Sequence, residues 1–233
     1  MHFLIELTIV FDLDGTLSFG EGPVSIEAVK YVQSLEKKRN KICIASGKDY
    51  RYLLGLVRGM GLIDPILIAE NGGVIVENDC KTIMPKDDNI DKLCNELEST
   101  FENISFQANE RTTSIITGNN QALIDSICDF TKCFLEPLGK YTIYRQKASI
   151  DVMPDFINKG EGLKIVQEKK GYNAQNTICI GDGENDRPLS TRTDNMIVVG
   201  NGLKDLTNIK RFKTTIEMLD YLTLFVDKTV ITR

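Results

Sequence analysis

Ile9-Val10-Phe11-Asp12-Leu13-Asp14-Gly15-Thr16-Leu17 joins a short apolar run to two carboxylates, a glycine and a hydroxyl. The run starts at Leu7 and is broken only by Thr8, and short β-branched runs that stop at turn residues read as buried strands. Alternation along an extended chain sends Asp12 and Asp14 to the same side, just past the strand's end. Open parallel sheets place their ligand crevice there. Carboxylates so close together repel unless a proton or a cation lies between them. A divalent metal meets that need, and magnesium prefers hard oxygen ligands of this kind.

Outward from this stretch, strands and helices alternate. Ser25 reads as the N-cap of a helix over Glu27 to Lys38, with Val29, Val32 and Leu35 as its apolar stripe. Lys41 to Ala45 reads as a strand closing at Ser46-Gly47, followed by a helix from about Asp49 to Met60. Pro65 to Ala69 reads as a third strand, ending in Glu70-Asn71-Gly72-Gly73. This rhythm predicts an α/β fold with a doubly wound, mainly parallel Rossmann-like sheet.

The rhythm then changes. Gly73 to Glu77 and Lys81 to Met84 suggest a hairpin around Asn78-Asp79. A helix (Ile90 to Phe101), two strands (Ile104 to Asn109, Thr113 to Thr117), a helix (Gln121 to Phe134) and two strands (Tyr141 to Arg145, Ser149 to Met153) follow. Two helix–strand–strand units suit an α+β module with one antiparallel sheet. From Lys159 the first rhythm resumes: a helix to about Lys170, a strand from Thr177 to Ile180, a helix near Pro188, a strand from Met196 to Val199, and a last helix around Ile216 to Phe225. The expected organisation is one α/β domain made of residues 1–74 and 156–233, interrupted by an α+β module over 75–155. A boundary crossed twice, with Gly72-Gly73 and Pro154-Asp155 at its edges, makes a natural hinge for closure over a ligand.

Composition narrows the chemistry. A net charge of −5 with a pI near 5.1 offers no bulk attraction to nucleic acid or anionic membrane. The longest apolar stretches are strand-sized, too short for a bilayer. Met1-His2-Phe3-Leu4-Ile5-Glu6 lacks a basic region and a cleavage-type motif, so no signal peptide is expected and the cytoplasm is the expected location. Six cysteines without C-x-x-C spacing read as reduced structural thiols. His2 is the only histidine, which removes histidine triads and two-histidine zinc sites. Carboxylates, hydroxyls, lysine or thiols must carry any reaction.

Four short stretches converge at strand carboxyl ends or helix amino ends in this arrangement: Asp12-x-Asp14, Ser46-Gly47, Lys159, and Asp182 with Asp186. Singly, Ser46 is a turn or cap hydroxyl, Lys159 a surface lysine, Gly181-Asp182-Gly183 a turn and Asn185 an N-cap. Jointly they suit phosphoryl transfer. Carboxylates hold Mg²⁺, while lysine, hydroxyl and backbone amides neutralise phosphate oxygens. A carboxylate is also a competent nucleophile toward phosphorus. Arg111, Arg145 and Lys147 in the inserted module are candidate contacts for an anionic substrate, although exposed basic residues on a small sheet explain them as well.

Phe11-Asp12-Leu13-Asp14-Gly15-Thr16-Leu17, Ala45-Ser46-Gly47-Lys48, Asn158-Lys159-Gly160 and Gly181-Asp182-Gly183-Glu184-Asn185-Asp186 together resemble the haloacid dehalogenase superfamily. Glu70-Asn71-Gly72-Gly73 and Gly200-Asn201-Gly202 are similar to its branch with an inserted α+β cap. That branch includes Cof-type sugar-phosphate phosphatases, archaeal-type phosphoglycolate phosphatases, sucrose-phosphate phosphatases and phosphomannomutases. The resemblance covers nearly the whole chain. It implies that Asp12 is a nucleophile and magnesium ligand, and that Asp14 is the general acid–base, binding metal through its backbone carbonyl. It further implies that Ser46, Gly47 and Asn185 contact substrate or phosphate, that Lys159 offsets charge beside Asp12, and that Asp182 and Asp186 complete the metal site. The implied activity is Mg²⁺-dependent hydrolysis of a small phosphate monoester, a sugar phosphate or a phosphoglycolate-like molecule, through an aspartyl phosphate. A phosphomannomutase-like phosphotransferase and a non-catalytic phospho-receiver are the alternatives, and oligomeric state is left open. Lys48 departs from the branch's commoner arginine, and Arg187-Pro188 from its usual apolar residues.

Overall fold

A computed structural model of the chain describes residues 6–231 apart from 21, 79 and 208, with side chains through 227. His2 and Asp79 lie outside the described residues. In order, the chain forms β1 (Thr8–Asp12), α1 (Ile26–Lys37), β2 (Lys41–Ala45), α2 (Tyr50–Gly59), β3 (Ile66–Ala69), β4 (Val74–Glu77) and β5 (Cys80–Ile83). Next come α3 (Asp88–Thr100), β6 (Ser105–Phe106), β7 (Thr113–Ile116), α4 (Gln121–Leu135), β8 (Tyr141–Arg145) and β9 (Ser149–Pro154). The chain closes with α5 (Lys159–Lys170), β10 (Thr177–Gly181), β11 (Asn195–Val199), β12 (Lys210–Phe212) and α6 (Thr215–Ile231).

β1 lies inside an eight-stranded sheet of order β12-β11-β10-β1-β2-β3-β4-β5. It pairs in parallel with β2 on one side and β10 on the other. The chain steps outward through β2 and β3 from one edge of β1, and through β10, β11 and β12 from the other. β1 therefore sits at the switch point, where the carboxyl ends of the strands open a crevice. Its whole length is buried. Ile9 and Phe11 pack with Val32 of α1, Leu53 of α2 and Leu219 of α6, while Val10 faces Leu163 and Val166 of α5. A strand covered on both faces needs an unbroken apolar run, which Ile9-Val10-Phe11 supplies. Full burial of such side chains contributes about 1.5–3 kcal/mol each.

A second sheet, of order β6-β7-β9-β8, is antiparallel and carries α3 and α4 on one face. Its own core contains Leu93, Leu97, Ile115, Ile127 and Ile150. The helix–strand–strand pattern read from the sequence thus appears twice in one sheet.

Four details differ from the sequence reading. The hairpin expected to open the inserted module belongs to the large sheet: β4 pairs antiparallel with β3, and β5 with β4. Val74 and Val76 join the large sheet's core, so the chain leaves that sheet after Ile83 rather than at residue 75. β6 spans only Ser105–Phe106 instead of Ile104 to Asn109, because the backbone at Glu110 and Arg111 is drawn to the Glu70 carboxylate. The helix expected near Pro188 is 3₁₀ rather than α, over Glu184–Arg192. β12 was not expected, since Lys210-Arg211-Phe212 has no apolar run; it is a short, basic edge strand.

Ser25 caps α1 as expected, its Oγ accepting the Ala28 N–H at 3.1 Å. Asn158 does the same for α5, accepting from Glu161 N–H at 3.0 Å, which fixes Lys159 as the first helical residue.

Candidate active site

The carboxyl ends of β1, β2 and β10 and the amino end of α5 meet. Lys159 Nζ lies 2.6 Å from Asp12 Oδ1 and 2.6 Å from Asp186 Oδ1, with the lysine and Asp186 side chains fully buried. Two close approaches set this up. A Cβ on Gly160 would lie 2.4 Å from Pro188 O, so only glycine lets the start of α5 press against the 3₁₀ segment that carries Asp186. Gly15 has φ +87, and a Cβ there would fall 2.2 Å from Asp182 Oδ2; glycine both adopts the left-handed backbone and leaves room for that carboxylate.

Asp186 Oδ2 accepts the backbone N–H groups of Asp182 at 3.0 Å and Gly183 at 3.1 Å. Asp12, Asp182 and Asp186 each offer an oxygen, and these oxygens lie within 4.8 Å of one another. Three carboxylates thus stand around one ammonium, which bonds two of them, Asp12 and Asp186. Burial, then repulsion from Asp186, holds Asp12 well above the ordinary aspartate range, against the pull of Lys159. The same two causes raise Asp182 to about 6. Burial alone would lower Lys159, but Asp12 and Asp186 outweigh it and hold the ammonium charged.

Asp12 Oδ2 is buried and has no hydrogen-bond partner in the protein. An orphaned anionic oxygen beside surplus carboxylate charge, in a donor set of oxygens only, fits a hard divalent cation. Asp14 stands outside this side-chain cluster: its Oδ2 is 3.4 Å from Lys48 Nζ. The cysteines are not competitors for nucleophile. Burial pushes the Cys43 and Cys179 thiols up, so neither presents a thiolate.

Above the cluster is a cavity of about 330 Å³. Its floor is Asp12, Asp14, Ser46, Gly47, Lys48, Asp182 and Asn185; its roof, from the second sheet, includes Gln107, Ser114, Tyr144, Lys147 and Asp151. The eight residues that the family resemblance assigns to the site are brought together here: Asp12, Asp14, Ser46, Gly47, Asp182 and Asn185 line the floor, and Lys159 and Asp186 are buried and bonded to it. Ser46 is held by its backbone, its N–H donating to Ile68 O and its carbonyl accepting from Asn71 N–H, both at 2.9 Å. Asn185 does not stand alone: its Nδ2 donates to Asn71 Oδ1 at 3.3 Å.

The roof is tied to the floor by residues the sequence reading gave no role. Asn71 Nδ2 donates to Asp151 Oδ2 at 3.4 Å, and Asp151 Oδ1 accepts the Ser114 hydroxyl. Glu70, fully buried at φ 52, accepts the backbone N–H groups of Glu110 and Arg111 at 2.8 Å each through Oε2. A non-glycine residue in the left-handed region carries strain, and here these bonds hold it. One signal for Asp151 was legible: it interrupts the apolar strand Ile150-Asp151-Val152, and buried carboxylates are rare. Of the basic candidates, Arg111 donates to Met84 O and Glu110 O, and Arg145 pairs with Asp125 and Gln121. Lys147 is exposed at the cavity rim.

Among the described residues no helix is long and apolar enough to cross a membrane. The family model for haloacid dehalogenase-like hydrolases matches residues 9–127 and 92–217. A protein of Methanopyrus kandleri named phosphoglycolate phosphatase is 23% identical over 187 residues, 78% of each chain. The crystal structure of a haloacid dehalogenase-like hydrolase from Bacteroides thetaiotaomicron has a TM-score of 0.74 at 16% identity, covering 93% of this chain and 99% of that one. The sucrose-phosphatase of Synechocystis, solved with sucrose and phosphate, has a TM-score of 0.70 at 18% identity, covering 94% and 98%. A match that runs from the first strand to the start of the last helix, over the same carboxylate and lysine positions that the fold gathers, makes this chain a member of the haloacid dehalogenase-like hydrolase family.

Proposed function

We propose that the protein is a phosphatase that hydrolyses a small phosphate monoester through a phosphorylated Asp12, with magnesium as its metal. The observation that carries this reading is the buried Lys159 bridging Asp12 and Asp186 beneath a cavity floored by Ser46 and Gly47. Relatives named phosphoglycolate phosphatase and a fold shared with a sucrose-phosphatase support the same reaction class.

In this mechanism the Ser46 hydroxyl and the amides around Gly47 hold the phosphoryl oxygens. An Asp12 oxygen attacks phosphorus, forming an O–P bond as the ester O–P bond breaks, and Asp14 gives its proton to the departing alkoxide. Asp14 then takes a proton from water, whose oxygen attacks the phosphoaspartate, releasing inorganic phosphate and restoring Asp12. Lys159 pulls Asp12 toward its charged form against burial and offsets charge on the phosphoryl group. Asp12, Asp182 and Asp186, with the Asp14 carbonyl, would hold the metal. Magnesium there would neutralise the carboxylates and withdraw charge from the phosphoryl oxygens. The module after Ile83 acts as a cap that closes over the floor and excludes bulk water. Six unpaired cysteines fit a reducing, cytoplasmic setting.

Phosphate release from a panel of phosphorylated metabolites, with Mg²⁺ and with chelator, tests this. Turnover dependent on the metal is expected. A stable phosphoprotein that never releases phosphate, or conversion of one sugar phosphate isomer to another without release, would replace hydrolysis by phospho-relay or by mutase chemistry.

A further inference from the structure

The roof carries an unused carboxylate. Asp151 is only 7% exposed, yet it lines the cavity. It stands directly over the phosphoryl cradle: a Cβ placed on Gly47 would sit 3.1 Å from Asp151 Oδ2. Its two bonds, from the Ser114 hydroxyl and the Asn71 amide, come from neutral donors. None of the ion pairs among the described residues involves it. The nearby cations are occupied or remote: Lys159 pairs with Asp12 and Asp186, Lys48 with Asp14, the Arg145 guanidinium with Asp125 and Gln121, and Lys147 is exposed at the rim. Burying a carboxylate with hydrogen bonds but without a counter-charge is costly, and the cavity side is where a further donor can reach it. Other polar groups on the roof, Gln107, Tyr144 and Ser149, are also neutral.

We propose that Asp151 is a specificity-determining residue that accepts a hydrogen bond from a substrate hydroxyl and disfavours substrates bearing a carboxylate near the phosphate. The preferred class is then a phosphorylated polyol or sugar rather than a phosphorylated carboxylic acid. This deepens the phosphatase reading and rests on it. A hydroxyl within two or three carbons of the ester gives Asp151 a third donor. A carboxylate in the same place sets two anions a few ångströms apart in a largely enclosed cavity, a discrimination of about tenfold or more. The name phosphoglycolate phosphatase, borne by relatives such as that of Methanopyrus kandleri, would then not transfer to this chain.

The test compares kcat/KM of the Mg²⁺-loaded enzyme for glycerol 3-phosphate, ribose 5-phosphate and 2-phosphoglycolate, with p-nitrophenyl phosphate as a substrate that has neither hydroxyl nor carboxylate. The wild-type protein is expected to favour the two hydroxyl-bearing esters over 2-phosphoglycolate by about tenfold or more. Asp151→Asn is expected to narrow that ratio about tenfold, through a higher KM for the hydroxyl-bearing esters and a lower one for 2-phosphoglycolate. A purely structural role would slow all substrates together and leave the ratio where it was. Wild-type preference for 2-phosphoglycolate, or a ratio unmoved by Asp151→Asn, overturns the proposal. The wild-type measurement decides it if Asp151→Asn does not fold, with Ser114→Ala as a milder variant that should shift the ratio in the same direction. Turnover of p-nitrophenyl phosphate with the selectivity wrong sinks this inference alone; no turnover of any ester sinks the phosphatase reading as well.

Discussion

The floor and the roof of one cavity are built on opposite principles. In and just beneath the floor, Lys159 is buried with Asp12 and Asp186 and lies 2.6 Å from each; Asp12 ends β1, Lys159 opens α5, and Asp186 lies in the 3₁₀ segment Glu184–Arg192. In the roof, Arg145, Gln146 and Lys147 are exposed on the short connection between two strands of a small sheet. The floor has little freedom because moving any charge leaves another uncompensated in a medium of low polarity. Those exposed positions can change residues without uncovering a buried ion; Asp151 is the roof's one exception among the residues named. On the proposed mechanism the reaction belongs to the floor and selectivity to the roof.

That division can be broken by experiment. The largest effect is expected from Asp12→Asn, which should lower kcat by about 10⁴-fold or more for every ester tested, since the floor is common to all of them; activity that survived on one substrate would end the division. Lys159→Ala leaves Asp12 and Asp186 buried without their cation and should cost about 3–5 kcal/mol in denaturant unfolding. Lys147→Ala, on the roof, should change stability by no more than about 0.5 kcal/mol. Equal costs for the two lysines would show that burial is not what separates floor from roof.

Leu93 is fully buried in the core of the small sheet. Leu93→Ala should destabilise that module by about 2–5 kcal/mol, with faster hydrogen exchange confined to residues 88–154. Exchange spreading equally to β1 and β10 would mean that the two sheets unfold as one unit.

A smaller effect follows from protons. Burial and mutual repulsion raise Asp12, and raise Asp182 to about 6, against ordinary values near 3.8. The folded protein without metal then binds protons more tightly than the unfolded chain does. Its stability should rise as pH falls from 7 toward 5, and fall as pH climbs through the folded value. Mg²⁺ bound at the cluster would replace those protons, so it is expected to raise the melting temperature by about 5 °C more at pH 7 than at pH 5. A thermal melt series that showed equal metal stabilisation at both values would contradict the carboxylate cluster.

The floor was legible in the sequence because each of its parts is local. Asp12-x-Asp14 follows its own strand, Ser46-Gly47 follows another, and Lys159 stands behind the Asn158 cap. The strand and helix periodicities that placed them are likewise local, which is why the alternation of strands and helices around β1 was legible. The ties between roof and floor were not legible for the complementary reason. Asn71 and Asp151 are 80 residues apart and meet only when the two sheets do. The place of β4 and β5 was missed because a hairpin reads the same whether it opens a new sheet or extends an old one; only the contact of Val74 and Val76 with the large core decides it. Glu70 was noticed as part of a motif, but its reach to the backbone of Glu110 and Arg111 has no signature within Glu70-Asn71-Gly72-Gly73.

The pairing of β1 with β10 carries a consequence for how the molecule comes into being. Thr8 stands beside Thr177 in that ladder, so the central strand lacks one neighbour until most of the chain has been made. The small sheet needs nothing beyond residue 154 and has its own core. On a ribosome it can close while β1 still waits. A nascent chain therefore holds Asp12 and Asp14 long before it holds Lys159, and the chemistry switches on only with the last third of synthesis.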